Sequence, residues 1–158
     1  MDTVTYPDEA VRRDIADGWV GLKIDLLARH PDFKTVIGNK KILWSPAMFF
    51  LDASGRELRS YVGWLPPASF RAELALARVM DDVYHVRFDA AAEKLGTLLD
   101  TFEGTEAEPE ARYWHGITRF LGGKKDMAAL RDSWEELAKR FPGNRFATHA
   151  SVIEDAPG

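Results

Sequence analysis

The apolar positions fall into two regimes along the chain. In the first half they come in short runs broken by glycine and proline. From about residue 69 they recur in steps of three and four almost to the end. The first regime predicts short strands among short helices; the second predicts an all-helical region.

At the start, Thr5 to Ile15 reads as a short helix, with Pro7 near its first turn and acidic residues on the positive end of its dipole; Asp17-Gly18 stops it. Val20 to Asp25 alternates and predicts a strand. Leu26, Leu27, His30, Phe33, Val36 and Ile37 are spaced for one buried helical face, broken by Pro31 and ended at Gly38-Asn39. Ala47 to Leu51 is continuously apolar, which predicts a strand covered on both faces. Asp52-Ala53-Ser54-Gly55 closes it, with the glycine at a positive-φ turn position, and Arg56 to Val62 alternates loosely like an outer or edge strand.

Ser69 to Tyr84 predicts a long helix whose apolar residues cover more than one stripe, so it must pack against two partners, the sheet and the helices that follow. Four more helices are marked by Phe88 to Phe102, Tyr113 to Leu121, Met127 to Phe141 and Phe146 to Ile153. A shift of 39 places lays Phe88, Leu95, Leu98 and Phe102 on Met127, Trp134, Leu137 and Phe141; at 33 places Tyr113 falls on Phe146. Two helical hairpins of about 34 residues resemble tetratricopeptide units, and two units must lean on the first half for stability.

Composition narrows the function classes. The 158 residues are 46% hydrophobic and 11% aromatic, enough to bury a core. Neither a membrane span nor a signal-peptide pattern is present in the sequence, which leads to the expectation of a cytoplasmic protein. Residues 1 to 80 carry eleven Lys/Arg against ten Asp/Glu, and residues 81 to 158 ten against fifteen, so the second half is a poor match for nucleic acid. With zero cysteines, the chain offers no disulfide, thiolate ligand or cysteine nucleophile. His30, His85, His115 and His149 show no metal-ligand spacing, and no serine sits in a Gly-x-Ser-x-Gly context, so neither a metal site nor a hydrolase is expected, and no cofactor.

The order helix, strand, helix, X-Pro, strand, turn, strand, helix carries a resemblance. Val20 to Asp25 with its Lys23-Ile24-Asp25 ending, Trp44-Ser45-Pro46-Ala47-Met48-Phe49-Phe50-Leu51-Asp52, Gly55-Arg56-Glu57 and Tyr61-Val62-Gly63-Trp64-Leu65-Pro66-Pro67 resemble the thioredoxin family over roughly residues 3 to 80. Glu110 to Gly116 and Trp134 to Leu137 are similar to the tetratricopeptide-like extension of some bacterial members.

The resemblance implies an α/β (α+β) chain with a thioredoxin-like domain over 1–84, incomplete at its N-terminus, and a helical hairpin pair over 85–158. It also implies a cis peptide at Ser45-Pro46. The family's first strand and Cys-x-x-Cys would lie upstream of Met1, whether the natural protein starts earlier or has lost them. As it stands, the chain lacks the dithiol, so the expectation leans away from an enzyme. It favours a protein or peptide binder or scaffold with Trp44, Ser45, Pro46, Gly63 and Trp64 at the site. The alternatives are the C-terminal part of a thiol-disulfide oxidoreductase and an oligomerising protein made from an unprotected sheet. For each residue there is a plainer reading: Pro46 as a structural turn, Trp44 and Trp64 as packing, and His115 and His149 as packing groups at comparable places in the two helical units. The acidic cluster Glu103, Glu106, Glu108 and Glu110 reads as a solvated loop.

Overall fold

The computed structural model describes residues 1–155, apart from Leu26, Arg29, Asn39 and Lys124 and the side chains of Glu154 and Asp155. The readings placed on Leu26 and Asn39 lie outside the described residues. The described chain is mixed α+β. Its elements are α1 (Glu9–Ala16), α2 (Phe33–Ile37), β1 (Ala47–Leu51), β2 (Glu57–Val62), α3 (Pro67–Tyr84), α4 (Phe88–Thr101), α5 (Glu108–Gly122), α6 (Met127–Arg140), α7 (Arg145–Ala150) and a closing 3₁₀ turn (Ser151–Asp155). No helix among them is long and apolar enough to cross a membrane.

Capping sets several boundaries. Asp8 accepts from Ala10 and Val11 N–H at 2.9 and 3.0 Å and so starts α1, leaving Pro7 outside the helix, one place before the cap. Asp126 caps α6 and Asn144 caps α7 in the same way. Pro67 opens α3 at its first position, where a missing N–H costs nothing.

β1 and β2 form a two-stranded antiparallel hairpin. The register runs from Ala47↔Val62 to Phe50↔Arg59 and then steps to Leu51↔Glu57, which makes Leu58 an extra residue in β2. Gly55 turns the chain with φ +84°. Burial along β1 alternates, with Met48 and Phe50 buried and Ala47, Phe49 and Leu51 half-buried. This corrects the expectation of a strand covered on both faces: an apolar run describes composition, while the helices cover one side only.

Two further expectations fail in this half. Val20 to Asp25 forms no strand; Val20 is 98% exposed and Leu22 58%. Alternation supplies a pattern but not a partner, and no neighbouring strand among the described residues takes its hydrogen bonds. The helix expected over residues 26 to 37 shrinks to the five residues of α2, where only Ile37 is buried and Leu27 lies 93% exposed before it.

α3 meets the demand for two partners. Phe70, Leu74, Ala77 and Met80 join Val11, Met48, Phe50 and Leu58 in one core. Ala72, Leu76 and Val79 face the other way, into a core with Ala91, Leu95 and Leu98 of α4. A third core joins Leu130, Trp134 and Leu137 to Ala147 and Ala150, with Tyr113 and Ile117 of α5 against it. Tyr113 stacks on Trp134 at 5.0 Å, and Gly116 makes room: a Cβ there would stand 2.8 Å from the Trp134 indole nitrogen.

Charges bind these layers. Arg59 of β2 donates to Glu73 of α3 at 2.8 and 3.2 Å and to Glu110 of α5 at 2.5 and 3.0 Å. Burial works against its charge, but the two carboxylates more than offset this and raise its pKa. Glu108 is 1% exposed and accepts from Gly104 N–H at 2.6 Å, Arg112 at 2.7 Å and Arg140 at 2.9 Å. The expectation of a solvated acidic loop is therefore corrected for Glu108 and Glu110, which lie in the first turn of α5 with arginines around them. Asp82, also buried, is held by Arg87 at 2.7 Å and by Lys94.

Two outcomes are expected. Arg59→Leu leaves the Glu73 and Glu110 carboxylates with no cation between them, the mostly exposed Arg145 reaching only Glu110 at 4.0 Å, and chemical denaturation should show a loss of about 3 kcal/mol. For Glu108 and Asp82, burial pushes the carboxyls up but the donors around them win, so both titrate below their ordinary values. A folded pKa below the unfolded one contributes stability above the ordinary carboxylate range and loses it as pH falls through the depressed value. Denaturation midpoints should thus drop below about pH 4.5, and the gap between the unsubstituted chain and Glu108→Gln should shrink there.

Candidate functional site

The open end of the β1–β2 hairpin gathers the residues the sequence singles out. Gly63 N–H donates to the Pro46 carbonyl at 2.8 Å, closing the ladder beyond the Ala47↔Val62 pair. That bond sets Trp44 and Ser45 on one side of the opening and Trp64 on the other. Ser45-Pro46 is a cis peptide, and Gly63, with φ +114°, occupies the left-handed region that an L side chain resists.

Behind the opening the chain is pinned. Leu65 is 3% exposed; its carbonyl accepts from the buried Thr5 hydroxyl at 2.5 Å, and its N–H donates to the Met1 sulfur at 3.5 Å. Pro66 then accepts from Phe70 N–H at 2.9 Å, handing the chain to α3. The front is open: Trp44 is 71% exposed and Trp64 54%, with Leu43 at 91% and Val62 at 56% beside them. The plainer reading of the two tryptophans as packing groups does not describe them. Among the described residues, the backbone N–H and C=O of Ser45 have no hydrogen-bond partner.

No member of the group Trp44, Ser45, Pro46, Gly63 and Trp64 is an acid or base that titrates near neutrality. The group offers two indole faces, a short apolar rim and unpaired backbone groups. Such a surface can hold an extended peptide by main-chain pairing and aromatic contact; its one hydroxyl, on Ser45, has no histidine or carboxylate bonded to it among the described residues.

Sequence spacing did not point to a second cluster. Asp52, in the hairpin turn, lies with Asp81 and His85 at the end of α3 so that ligand-type atoms of all three fall within 4.8 Å of one another. These groups are already engaged. One Asp52 oxygen accepts from Ser54 N–H, the Ser54 hydroxyl and Arg56 N–H at 2.8, 2.6 and 2.9 Å, and the Ser54 hydroxyl leads the causes that lower its pKa. Asp81 takes Arg87 at 2.7 Å, and His85 Nδ1 sits 2.8 Å from the Asp81 carbonyl. A cation there would have to share the Asp81 carboxylate with Arg87. Their separation in sequence, 52 against 81 and 85, hides the cluster from any spacing rule.

Of the two histidines read as packing groups, His149 lies edge-on to Tyr113 and Phe146 at 6.1 and 5.9 Å. His115 is half-buried, and its burial, with Arg119 and Arg112 nearby, pulls its pKa down. Trp19 was not singled out. Its ring meets Phe50 edge-on at 5.9 Å, and its indole N–H is buried without a hydrogen-bond partner.

No family model matches the sequence, and no curated protein or solved structure matches it either.

The exposure of the rim predicts a direct optical signature. Of the five tryptophans, Trp44 and Trp64 are the exposed ones. Acrylamide quenching should therefore reach mainly these two, and Trp44→Phe with Trp64→Phe should remove most of the quenchable emission while leaving the far-ultraviolet dichroism unchanged.

Proposed function

We propose that this chain is a protein-binding module without redox chemistry of its own, thioredoxin-like in its first half and tetratricopeptide-like in its second, which holds an extended peptide at the hairpin mouth. One observation carries the reading: Trp44 and Trp64 stand exposed on either side of a backbone, at Ser45, whose N–H and C=O find no partner among the described residues. Exposed large aromatics next to open main-chain donors and acceptors favour capture of a strand-like segment, since the backbone supplies affinity and the rings supply selection.

The thioredoxin resemblance supports this reading, because in that family the segment before the proline faces peptide substrates. The family's chemistry needs a thiolate, and the sequence has zero cysteines, so binding is separated from exchange. The helical half supports the reading in another way. Arg59 ties β2 to α3 and α5, so the mouth is carried on a braced platform rather than on an isolated hairpin, which would be marginal in water.

Selection from a library of unstructured peptides, followed by calorimetry, tests the proposal. The unsubstituted chain should enrich extended sequences with apolar residues at alternate positions. Trp44→Ala and Trp64→Ala together should weaken the winners at least about tenfold, which is about 1.4 kcal/mol. Equal binding by the folded double variant would reject the site. In an insulin reduction assay the chain should show no turnover above background.

A further inference from the structure

The free edge of β1 carries a separate inference. Gly63 donates to Pro46 at one end of the hairpin, and Asp52 N–H donates to Arg56 at the other, at 2.9 Å. Alternation between those points turns Met48 and Phe50 toward β2, so the N–H and C=O groups of Ala47, Phe49 and Leu51 face away from it. The sheet holds only these two strands among the described residues, and that outer edge has no strand beside it.

Such an edge is ordinarily guarded by a charge, an internal proline, or a bulge on the exposed strand. β1 has none of these: it reads Ala-Met-Phe-Phe-Leu, and the extra residue of the bulge, Leu58, lies in β2. We propose that the occupant of this edge is a second copy of the chain, paired β1 to β1 antiparallel about Phe49, so that two hairpins form one four-stranded sheet across a two-fold axis.

Self-complementarity favours a second copy over an unrelated strand. Pairing about Phe49 sets Ala47 of one copy opposite Leu51 of the other, small against large, and Phe49 opposite itself. It also carries the exposed Leu43-Trp44 lead-in toward the other copy's small-residue turn, Ala53-Ser54-Gly55. Each contact occurs twice, as an isologous interface requires. The area is also of the right order. Leu43 at 91% and Trp44 at 71% exposure, with a half-buried five-residue edge, offer on the order of 500 Å² per copy, so the pair reaches the ~1,000 Å² at which a small specific interface begins. β1 itself carries no charged side chain; the Lys40 ammonium that lies over the Phe49 ring at 5.1 Å is paired with Glu57, so two copies meeting about Phe49 bring neutralised ion pairs, not bare cations, to the axis. Trp44 takes part in both this interface and the proposed peptide site, whereas Trp64 belongs to the peptide site alone, so Trp64→Ala weakens one without touching the other.

Light scattering at tens of micromolar tests the interface. The unsubstituted chain should weigh twice 17.8 kDa. Phe49→Lys and Phe49→Glu set like charges against each other at the axis, and each should fall to a single chain with its far-ultraviolet dichroism retained. An equimolar mixture of the two should recover the doubled mass. Hydrogen exchange on the unsubstituted chain adds a readout that needs no variant: the outward Phe49 N–H should exchange at least about tenfold more slowly when concentrated than when diluted below dissociation. A single-chain mass at all concentrations, a dimer indifferent to Phe49→Lys, or a Phe49 N–H that exchanges freely in the dimer would overturn the proposal.

Discussion

Arg59 sits at the junction of three elements. From β2 it reaches α3 through Glu73 and α5 through Glu110, forming paired hydrogen bonds with both carboxylates while only 14% of its own side chain remains exposed. A guanidinium suits this role because its planar fork makes two bonds to each of two carboxylates, four in all, where a lysine ammonium has only three donors. A two-stranded hairpin has little stability alone, and this one draws it from the helices on one side of it. Arg59 fixes the register in which that support is given. The bulge at Leu58 belongs to the same arrangement, since the extra residue puts Arg59 opposite Phe50 while Leu58 itself is buried in the first core.

From that junction the architecture divides by what is covered. α3 is buried on two faces, one against the hairpin and one against α4, so it makes the first and second cores neighbours. The helical half is closed by its own aromatics, with Tyr113 stacked on Trp134 over Gly116. The exposed apolar groups concentrate elsewhere, in the irregular stretch from Val20 to Trp44 and at the hairpin mouth. Packed core and exposed apolar surface are therefore largely separated along the chain: α3 and the second half supply most of the packing, and the first half presents most of the exposed apolar side chains.

How much of this could be read from the sequence depended on whether the deciding contact was local. The helices from residue 67 onward were legible because steps of three and four report a buried stripe directly, and Gly55 was legible as a turn point. Val20 to Asp25 was not, because alternation is a necessary condition for a half-buried strand, and the missing condition, a pairing partner, is non-local. Glu108 and Glu110 were misread for a related reason. A run of acids looks solvated until Arg59, Arg112 and Arg140, up to 51 positions away, are brought around it. The mouth of the hairpin was legible residue by residue, but the unpaired Ser45 backbone and the exposure of both indoles emerge only once the fold is assembled.

Peptide capture at the hairpin mouth, and not on the helical half, is open to direct test. Amide and indole chemical-shift mapping with a library-selected peptide tests it most directly. Capture at the mouth should make the shifts cluster at Trp44, Ser45, Gly63 and Trp64 and fade across α4 to α7. Shifts concentrated on α5 and α6, with the two exposed indoles unmoved, would contradict it.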